Sequence, residues 1–302
     1  FFVVNGGTNA LQAMILALDE ADKLLLARDC HRSAVNGAAL RGIETSYISP
    51  RYDQQRGLLG MVTPDDLDRA LEETGATAAL ITTPNMYGFC ADVEGLAKVA
   101  HQHDALLLVD SAHGAHFPFS TALPRALSGY ADLYVHSQHK TMDALTQAAS
   151  LHLGECRITP NQLQKALAMT ETTSPSYVLM ASLDWSVYMA LRRDWTGQVA
   201  RCAALEQKVE ALQGFQVFHE PVGIGVFERD KTRIVIDVTD RGYTGYEAQA
   251  ILEDKHIYLE MADARRLVLI TSPNDEPIWY DQLIEALSAI PKRASRKAKI
   301  AG

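Results

Sequence analysis

The sequence predicts an α/β fold in which a mostly parallel sheet is wrapped by helices and is followed by a smaller C-terminal α/β domain. Short apolar runs alternate with amphipathic segments along most of the chain, and this alternation is typical of βαβ units. The pattern changes after Gly214, where shorter strands begin. We therefore predict a large domain over residues 1–213 and a small domain over residues 214–302.

The spacing of apolar residues predicts the individual elements. Strands of the large domain are expected at 24–27, 44–48, 78–82, 106–110 and 133–136, and helices at 11–21, 64–73 and 93–103. A long helical region at 161–212 is interrupted at 172–176. In the small domain we expect strands at 232–238 and 267–270, and helices at 245–255 and 278–290.

The two ends of the sequence carry separate expectations. The chain starts with Phe1-Phe2-Val3-Val4, which has no initiator methionine and has the pattern of a buried strand, so we expect a segment upstream. The tail 291–302 is basic and lacks apolar periodicity, which is typical of a solvated terminus. Its cations are Lys292, Arg293, Arg296, Lys297 and Lys299.

Composition narrows the class of partner. The formal charge of −9 argues against nucleic acid or an anionic membrane as the main partner, and therefore favours a small molecule. The four cysteines form no C-x-x-C pair, which predicts neither a zinc knuckle nor a disulfide framework and fits a reducing cytoplasm. No apolar run reaches the roughly twenty residues that span a bilayer. We predict a soluble, cytoplasmic protein.

One lysine is placed where a pyridoxal phosphate enzyme needs it. Such an enzyme uses a lysine amine to form a Schiff base with the cofactor aldehyde and a carboxylate to pair with the pyridinium nitrogen. Lys140 follows Ser137-Gln138-His139, and Asp110 ends a predicted strand. In parallel sheets, ligands bind beyond such strand ends. The neighbours of Lys140 predict a partly buried loop, which would favour the neutral amine.

Two further segments fit the same cofactor. Asn5-Gly6-Gly7-Thr8-Asn9 follows a strand and opens a helix, so its N–H groups and the Thr8 hydroxyl could hold a phosphate. A plain turn with an N-cap would need no ligand, and for this segment taken alone it is the more common explanation. His31 follows an apolar run and could stack on a planar ring, although a lone histidine is more often structural.

The tract after the strand at 106–110 has a competing interpretation. Asp110, His113 and His116 read as D-x-x-H-x-x-H, a set of ligands for a divalent metal, to which His31 or His139 could add a fourth. This hypothesis predicts a metal hydrolase. It leaves the Ser-x-His-Lys motif without a function, so the cofactor hypothesis is favoured and no metal is expected.

Several motifs, taken together and in order, resemble one family. The chain is similar to the pyridoxal phosphate-dependent ornithine/lysine/arginine decarboxylases, which have the aspartate aminotransferase fold, also called fold type I. The motifs extend over nearly the whole chain. They are Asn5-Gly-Gly-Thr8, Cys30-His-Arg-Ser33, Thr83-Pro-Asn-Met-Tyr-Gly88, Asp110-Ser-Ala-His-Gly-Ala-His-Phe117, Ser137-Gln-His-Lys-Thr141, Ala144-Leu-Thr-Gln147, Thr173-Ser-Pro-Ser-Tyr177 and Ser182-Leu-Asp184.

The resemblance implies a role for each member of a catalytic and cofactor-binding set. The catalytic members would be Lys140 as the Schiff-base lysine, Asp110 on the pyridinium nitrogen, and His139 beside the lysine. The cofactor-binding members would be these three together with His31 stacked on the ring, Ala112 under its other face, His113, and Gly7, Thr8 and Ser137 around the phosphate. The family also implies a homodimer or higher homo-oligomer, in which the loop at 173–177 reaches the partner subunit's site.

The implied reaction is decarboxylation of a basic L-amino acid to its amine, a step typical of polyamine biosynthesis. The short C-terminal domain resembles that of the compact members of the family, in which arginine is a common substrate, so arginine is favoured, with lysine or ornithine next. Glu260 matches a family stretch near the substrate entrance and could attract a cationic side chain, although a solvated helix or strand end explains it equally well. The alternatives are another fold-type-I enzyme, such as an aminotransferase or a different lyase, and a catalytically silent binding or regulatory relative.

Overall fold

A computed structural model of the chain describes residues 1–219 and 223–293. Contacts divide these residues into two compact units. The first contains residues 1–85 and 89–192 and a short segment that ends at Glu228; the second contains 86–88, the segment from Arg193 to residue 219, and the chain from Arg229 onward. The domain boundary expected at residue 213 stays a prediction. Arg296, Lys297 and Lys299 of the basic tail lie outside the described residues.

The first unit is an α/β structure. Its strands are β1 (Phe2–Val3), β2 (Lys23–Ala27), β3 (Glu44–Ile48), β4 (Tyr52–Asp53), β5 (Leu58–Leu59), β6 (Ala78–Thr82), β7 (Phe89–Cys90), β8 (Leu106–Asp110), β9 (Leu133–His136) and β10 (Ala149–Leu153). Its helices are α1 (Gly6–Leu16), α2 (Arg32–Arg41), α3 (Pro64–Thr74), α4 (Val93–Gln102), α5 (Gln138–Thr141), α6 (Pro160–Thr170) and α7 (Tyr177–Ala190), with a 3-10 turn at Phe117–Phe119.

Seven of the described strands form the main sheet, in the order β1-β10-β9-β8-β6-β2-β3. β9, β8, β6, β2 and β3 are parallel, and β10 runs antiparallel to both of its neighbours. The predicted fold class is therefore confirmed. The five predicted strands are also confirmed to within one residue, but the first helix begins at Gly6 rather than at residue 11. The apolar period marks only the later part of this helix, whereas the glycine-rich segment at residues 5–9 was correctly expected to open a helix.

One face of the sheet packs on the core built with α1, α2 and α6. Leu24, Leu80, Leu108 and Val135 contribute to this core from four neighbouring strands. Because side chains alternate between the faces of a strand, Asp110, two residues after Leu108, points to the same face. Asp110 therefore lies at the carboxyl edge of the sheet, on the face that packs against α1, α2 and α6.

The second unit contains a smaller antiparallel sheet, in the order β11-β13-β15-β14, with its own apolar core. Its elements are α8 (Trp195–Glu210), β11 (Gln216–Val217), β13 (Arg233–Asp237), a 3-10 turn at Thr239–Arg241, α9 (Gly245–Glu253), β14 (Met261–Ala262), β15 (Arg266–Ile270) and α10 (Pro277–Ser288). The two-residue strand β12 (Glu228–Arg229) spans the chain boundary between the units.

The long helical region expected at 161–212 is interrupted at 172–176, as predicted, and also at 191–194. The second break coincides with Asp194, whose Oδ1 accepts a 2.8 Å hydrogen bond from Gly197 N and caps α8. Among the described helices, none is both long enough and apolar enough to cross a bilayer.

Candidate active site

The carboxyl ends of β8 and β9 remain joined beyond the strands themselves. Ser111 N donates to the Val135 carbonyl at 3.1 Å, and Ser137 N donates to the Ala112 carbonyl at 3.2 Å. These bonds hold the segment after Asp110 against the segment that leads to Lys140. The two tracts singled out in the sequence are therefore neighbours at the edge where α/β sheets bind ligands.

Asp110 is a buried carboxyl group with 4% of its surface exposed. Its Oδ1 accepts a 3.1 Å hydrogen bond from Ala112 N. Burial raises the pKa of Asp110, while that hydrogen bond and the positive charges of Lys140 and His31 act in the opposite direction. The effect of Lys140 and His31 on this carboxyl indicates that both lie near Asp110. A cation placed beside Asp110 would stabilise its ionised form.

Lys140 is the third residue of α5, and its Nζ lies 3.2 Å from His113 Nε2. The expectation that Lys140 is partly buried is wrong, because Lys140 is exposed in the structure of the single chain. The reason is the length of α5, a single turn in which only Gln138 is buried. Exposure leaves the amine accessible to an incoming carbonyl compound.

His139 is oriented by the start of β10. Its Nδ1 lies 3.0 Å from the Ala148 carbonyl, which can only accept, so Nδ1 carries the proton. The Nε2 atom of the neutral ring is then the free acceptor. The ring is half-buried, which suits a group that holds or moves a proton at a neighbouring ligand.

The first turn of α1 meets Ser137 at the same edge. A Cβ atom at Gly7 would overlap Ser137 Oγ, so a larger residue would force this hydroxyl to move. Asn5 makes no side-chain capping bond, and the first turn contains no acidic residue. The N–H groups of this turn, with the exposed Thr8 one position on, therefore form a cradle that suits an anion.

His31 has a structural function as well as an exposed ring. It is the N-cap of α2, where its Nδ1 accepts a 3.2 Å hydrogen bond from Ser33 N and lies 2.7 Å from Ser33 Oγ. These bonds fix the imidazole at the end of β2. Ala112, half-buried, is held by its backbone bonds to Asp110 and Ser137.

Sequence reasoning missed Asp29 and Thr82. Thr82 ends β6, which neighbours β8, and Asp29 follows β2, the next strand of the sheet. Burial raises the pKa of Asp29 to about 6, and the negative charge of Asp110 adds to this rise. Asp29 Oδ1 and Thr82 Oγ1 are buried atoms for which the described residues supply no hydrogen-bond partner. The available signal was an aspartate close to the end of an apolar strand, two residues after β2, which is similar to the position of Asp110 at the end of β8.

The metal hypothesis finds no support. Within residues 1–219 and 223–293, no group of three histidine, cysteine or acidic side chains is arranged to hold a metal ion. His116 is buried and packs edge-on against Phe117, with ring centroids 4.8 Å apart. Glu260, the remaining sequence candidate, is exposed in the second unit, and its backbone N donates to the Val268 carbonyl.

Solved structures define the class of fold. The constitutive lysine decarboxylase of E. coli superposes with a TM-score of 0.80 at 19% identity, covering 95% of this chain and 48% of that one. Lysine decarboxylase A from Pseudomonas aeruginosa gives a TM-score of 0.79 at 16% identity, over 95% of this chain and 48% of that one. The fold is that of the fold-type-I pyridoxal phosphate enzymes.

Sequence comparisons identify the family within this fold. Residues 1–230 match the family described as Orn/Lys/Arg decarboxylase, major domain, and the chain belongs to it. Arginine decarboxylase of Bacillus cereus (strain ATCC 14579) is 30% identical over 95% of this chain and 64% of its own length. Arginine decarboxylase of Bacillus subtilis (strain 168) is 30% identical over 98% of this chain and 62% of its own length. The chain thus spans less than two thirds of these relatives.

Proposed function

We propose that the chain carries the cofactor site of a pyridoxal phosphate-dependent decarboxylase that converts a basic L-amino acid into its amine, with arginine as the favoured substrate. One observation carries the proposal. A reactive amine on Lys140, a buried carboxylate on Asp110 and an anion cradle at Gly7 converge on one sheet edge. The relatives' names favour arginine.

The chemistry of the donor set fits this cofactor. The Gly7 turn and the Ser137 hydroxyl suit a phosphate, and the buried Asp110 carboxylate suits a protonated ring nitrogen. Both lie at the edge where Lys140 is accessible. Bound pyridoxal phosphate supplies an electron sink that takes up the electron pair left when a carboxylate departs as carbon dioxide.

The residues of the chain then have distinct tasks in the proposal. Lys140 supplies the amine that holds the cofactor, and the His113 Nε2 atom, 3.2 Å away, accepts a proton from it. Asp110 would hold a proton at the ring nitrogen of the bound cofactor, and His31 would be the residue that orients the ring by stacking. The proton that returns to the substrate carbon would come from Lys140, or from His139 after its Nε2 has taken up a proton.

A homodimer is part of the proposal. α7 has a largely apolar sequence, and a helix that is apolar all round is normally covered by protein. Here Tyr177 is 81% exposed and Trp185 54% exposed, with further apolar side chains exposed beside them. They are Val178, Tyr188 and Leu191. A second copy would cover this face, and Trp185→Glu should shift the chain from dimer to monomer in sedimentation velocity.

The test is release of labelled carbon dioxide from carboxyl-labelled arginine, lysine and ornithine by the chain loaded with pyridoxal phosphate. We expect release, fastest from arginine, with none from Lys140→Ala. Lys165→Ala removes an exposed lysine of α6 and serves as the matched control, with turnover unchanged. Bound cofactor with no release from any of the three substrates would overturn the proposal, and so would transfer of the amino group to a keto acid.

A further inference from the structure

The short helix α5 is tied to the sheet by a buried side chain. Gln138, its first residue, is only 5% exposed, and its Nε2 donates a 2.6 Å hydrogen bond to Ser150 Oγ on β10. Ser150 Oγ in turn lies 2.7 Å from His152 Nε2. The three side chains form a continuous hydrogen-bonded chain that starts two residues before Lys140.

The donors and acceptors of this chain can be assigned from chemistry. The Gln138 amide nitrogen only donates, so the Ser150 oxygen accepts, and the Ser150 hydroxyl proton is left for His152 Nε2. That direction requires a neutral His152 with its proton on Nδ1. Burial lowers the pKa of His152 to about 4, so the ring is neutral at physiological pH.

The far end of the chain is fixed in the sheet. The His152 ring stacks on Tyr134 of β9, with centroids 4.4 Å apart and planes 1° apart, and packs edge-on against His136. Tyr134 and His152 also pair across the antiparallel ladder between β9 and β10. The hydrogen-bonded chain therefore connects α5 to a part of the fold that has little freedom to move.

α5 needs such an anchor because it is only four residues long. A single helical turn has few internal hydrogen bonds to offset the entropy of ordering its residues. A second bond also attaches this turn to the sheet. It joins His139 to the carbonyl of Ala148, the residue before β10. Without these anchors, the position of Lys140 beside His113 would depend on the backbone of one isolated turn.

We propose that Gln138 is a positioning residue for Lys140, acting through the buried chain formed with Ser150 and His152. The inference rests on the proposed function, in which the Lys140 amine is the reactive group. Gln138 does not touch the reacting atoms. It holds the turn that presents the amine, so its loss should slow imine formation and turnover without changing the affinity for amino-acid substrate.

The test compares Gln138→Leu, Ser150→Ala and the double variant in the full chain. Imine formation is followed by absorbance after addition of pyridoxal phosphate. We expect each single variant to form the imine about tenfold more slowly, because small misplacements of a reactive group cost large factors in rate. The double variant should be no slower than either single one, since all three break the same chain. In turnover, kcat should fall while KM is unchanged.

Gln198→Leu provides a matched control. Gln198 is a fully buried amide of the second unit, and its Nε2 donates to Tyr280 Oη at 2.8 Å. Its replacement imposes a comparable loss of a buried hydrogen bond without touching α5. The proposal is overturned if Gln198→Leu slows imine formation as much as Gln138→Leu does, if Gln138→Leu and Ser150→Ala form it at the wild-type rate, or if their effects add fully.

A second measurement separates this inference from the proposed function. Brief treatment of the cofactor-free chain with acetic anhydride, read by peptide mass spectrometry, gives the labelling of Lys140 relative to the exposed Lys165. We expect this ratio to move toward one in Gln138→Leu and Ser150→Ala, because an unanchored Lys140 becomes an ordinary surface lysine. An unchanged ratio overturns the positioning role. Absence of any imine in the wild-type chain, with the ratio still shifted in the variants, overturns only the cofactor chemistry.

Discussion

Replacing Asp29 by asparagine removes a carboxyl group that the fold holds in a poorly solvated position beside Asp110. Burial raises the pKa of Asp29 from 3.8 to about 6. A shift of one unit corresponds to about 1.4 kcal/mol, so ionised Asp29 costs the cofactor-free fold up to about 3 kcal/mol at neutral pH. The residue is partly exposed, and solvent screening reduces this cost to about 1–2 kcal/mol. Asp29→Asn should therefore stabilise the cofactor-free chain.

The pH dependence identifies the cause of this gain. Between the unfolded and folded pKa values the folded chain binds the proton more tightly, so wild-type stability from this group rises as pH falls from about 6 to about 4. The advantage of Asp29→Asn should shrink over the same range. Urea unfolding at about pH 7.5 and at about pH 4.5 measures it, with Asp184→Asn, an exposed carboxylate of α7, as the control. A variant no more stable than wild type near neutral pH, or a gain independent of pH, would refute the reasoning.

Three further predictions concern the same region. Gly7→Ala should weaken pyridoxal phosphate binding severalfold and lower the free energy of unfolding by about 1 kcal/mol, because the new Cβ displaces the Ser137 hydroxyl. Equilibrium dialysis measures the binding and urea unfolding measures the stability. Binding as tight as that of the wild type would contradict the prediction. Asp110→Asn should retain bound cofactor but slow decarboxylation severely, since the ring nitrogen loses its charged partner. Single-turnover kinetics test this prediction, and turnover as fast as that of the wild type would contradict it. His152 lies neutral in the fold, with its pKa lowered from 6.5 to about 4, so its contribution of up to about 3 kcal/mol should be complete above about pH 6.5 and lost as pH falls toward about 4. His152→Gln should reduce this loss of stability at low pH, measured as the free energy of unfolding in urea. A variant whose stability depends on pH as the wild type's does would contradict the prediction.

Much of the sheet was predictable because its strands are short, apolar and bounded by polar residues. β3, β6, β8 and β9 have the predicted bounds, and β2 differs by one residue. The antiparallel strand β10 was not predicted, since nothing local marks the direction in which a strand joins a sheet. The start of α1 does not follow from apolar spacing, because two glycines begin the helix, but the glycine-rich turn after a strand did predict that a helix opens there.

The candidate site was predictable where a residue follows a strand end, as Asp110, His31 and Ser137 do. The hydrogen bonds that anchor the site to the sheet were not predictable. The bond from Gln138 to Ser150 joins residues twelve positions apart, and it depends on the register of β10 against β9. The exposure of Lys140 was also misjudged, because hydroxyl and imidazole neighbours suggest burial while a one-turn helix leaves the side chain open.

The central claim is that the Lys140 amine holds pyridoxal phosphate. Borohydride reduction of the cofactor-loaded chain, followed by proteolysis and peptide mass mapping, tests it most directly, because reduction makes the imine permanent at the lysine that formed it. The account predicts a phosphopyridoxyl group on the peptide that contains Lys140, and its loss, together with the visible absorption band, in Lys140→Ala. A modified lysine elsewhere with Lys140 untouched, or a band that persists in Lys140→Ala, would contradict it.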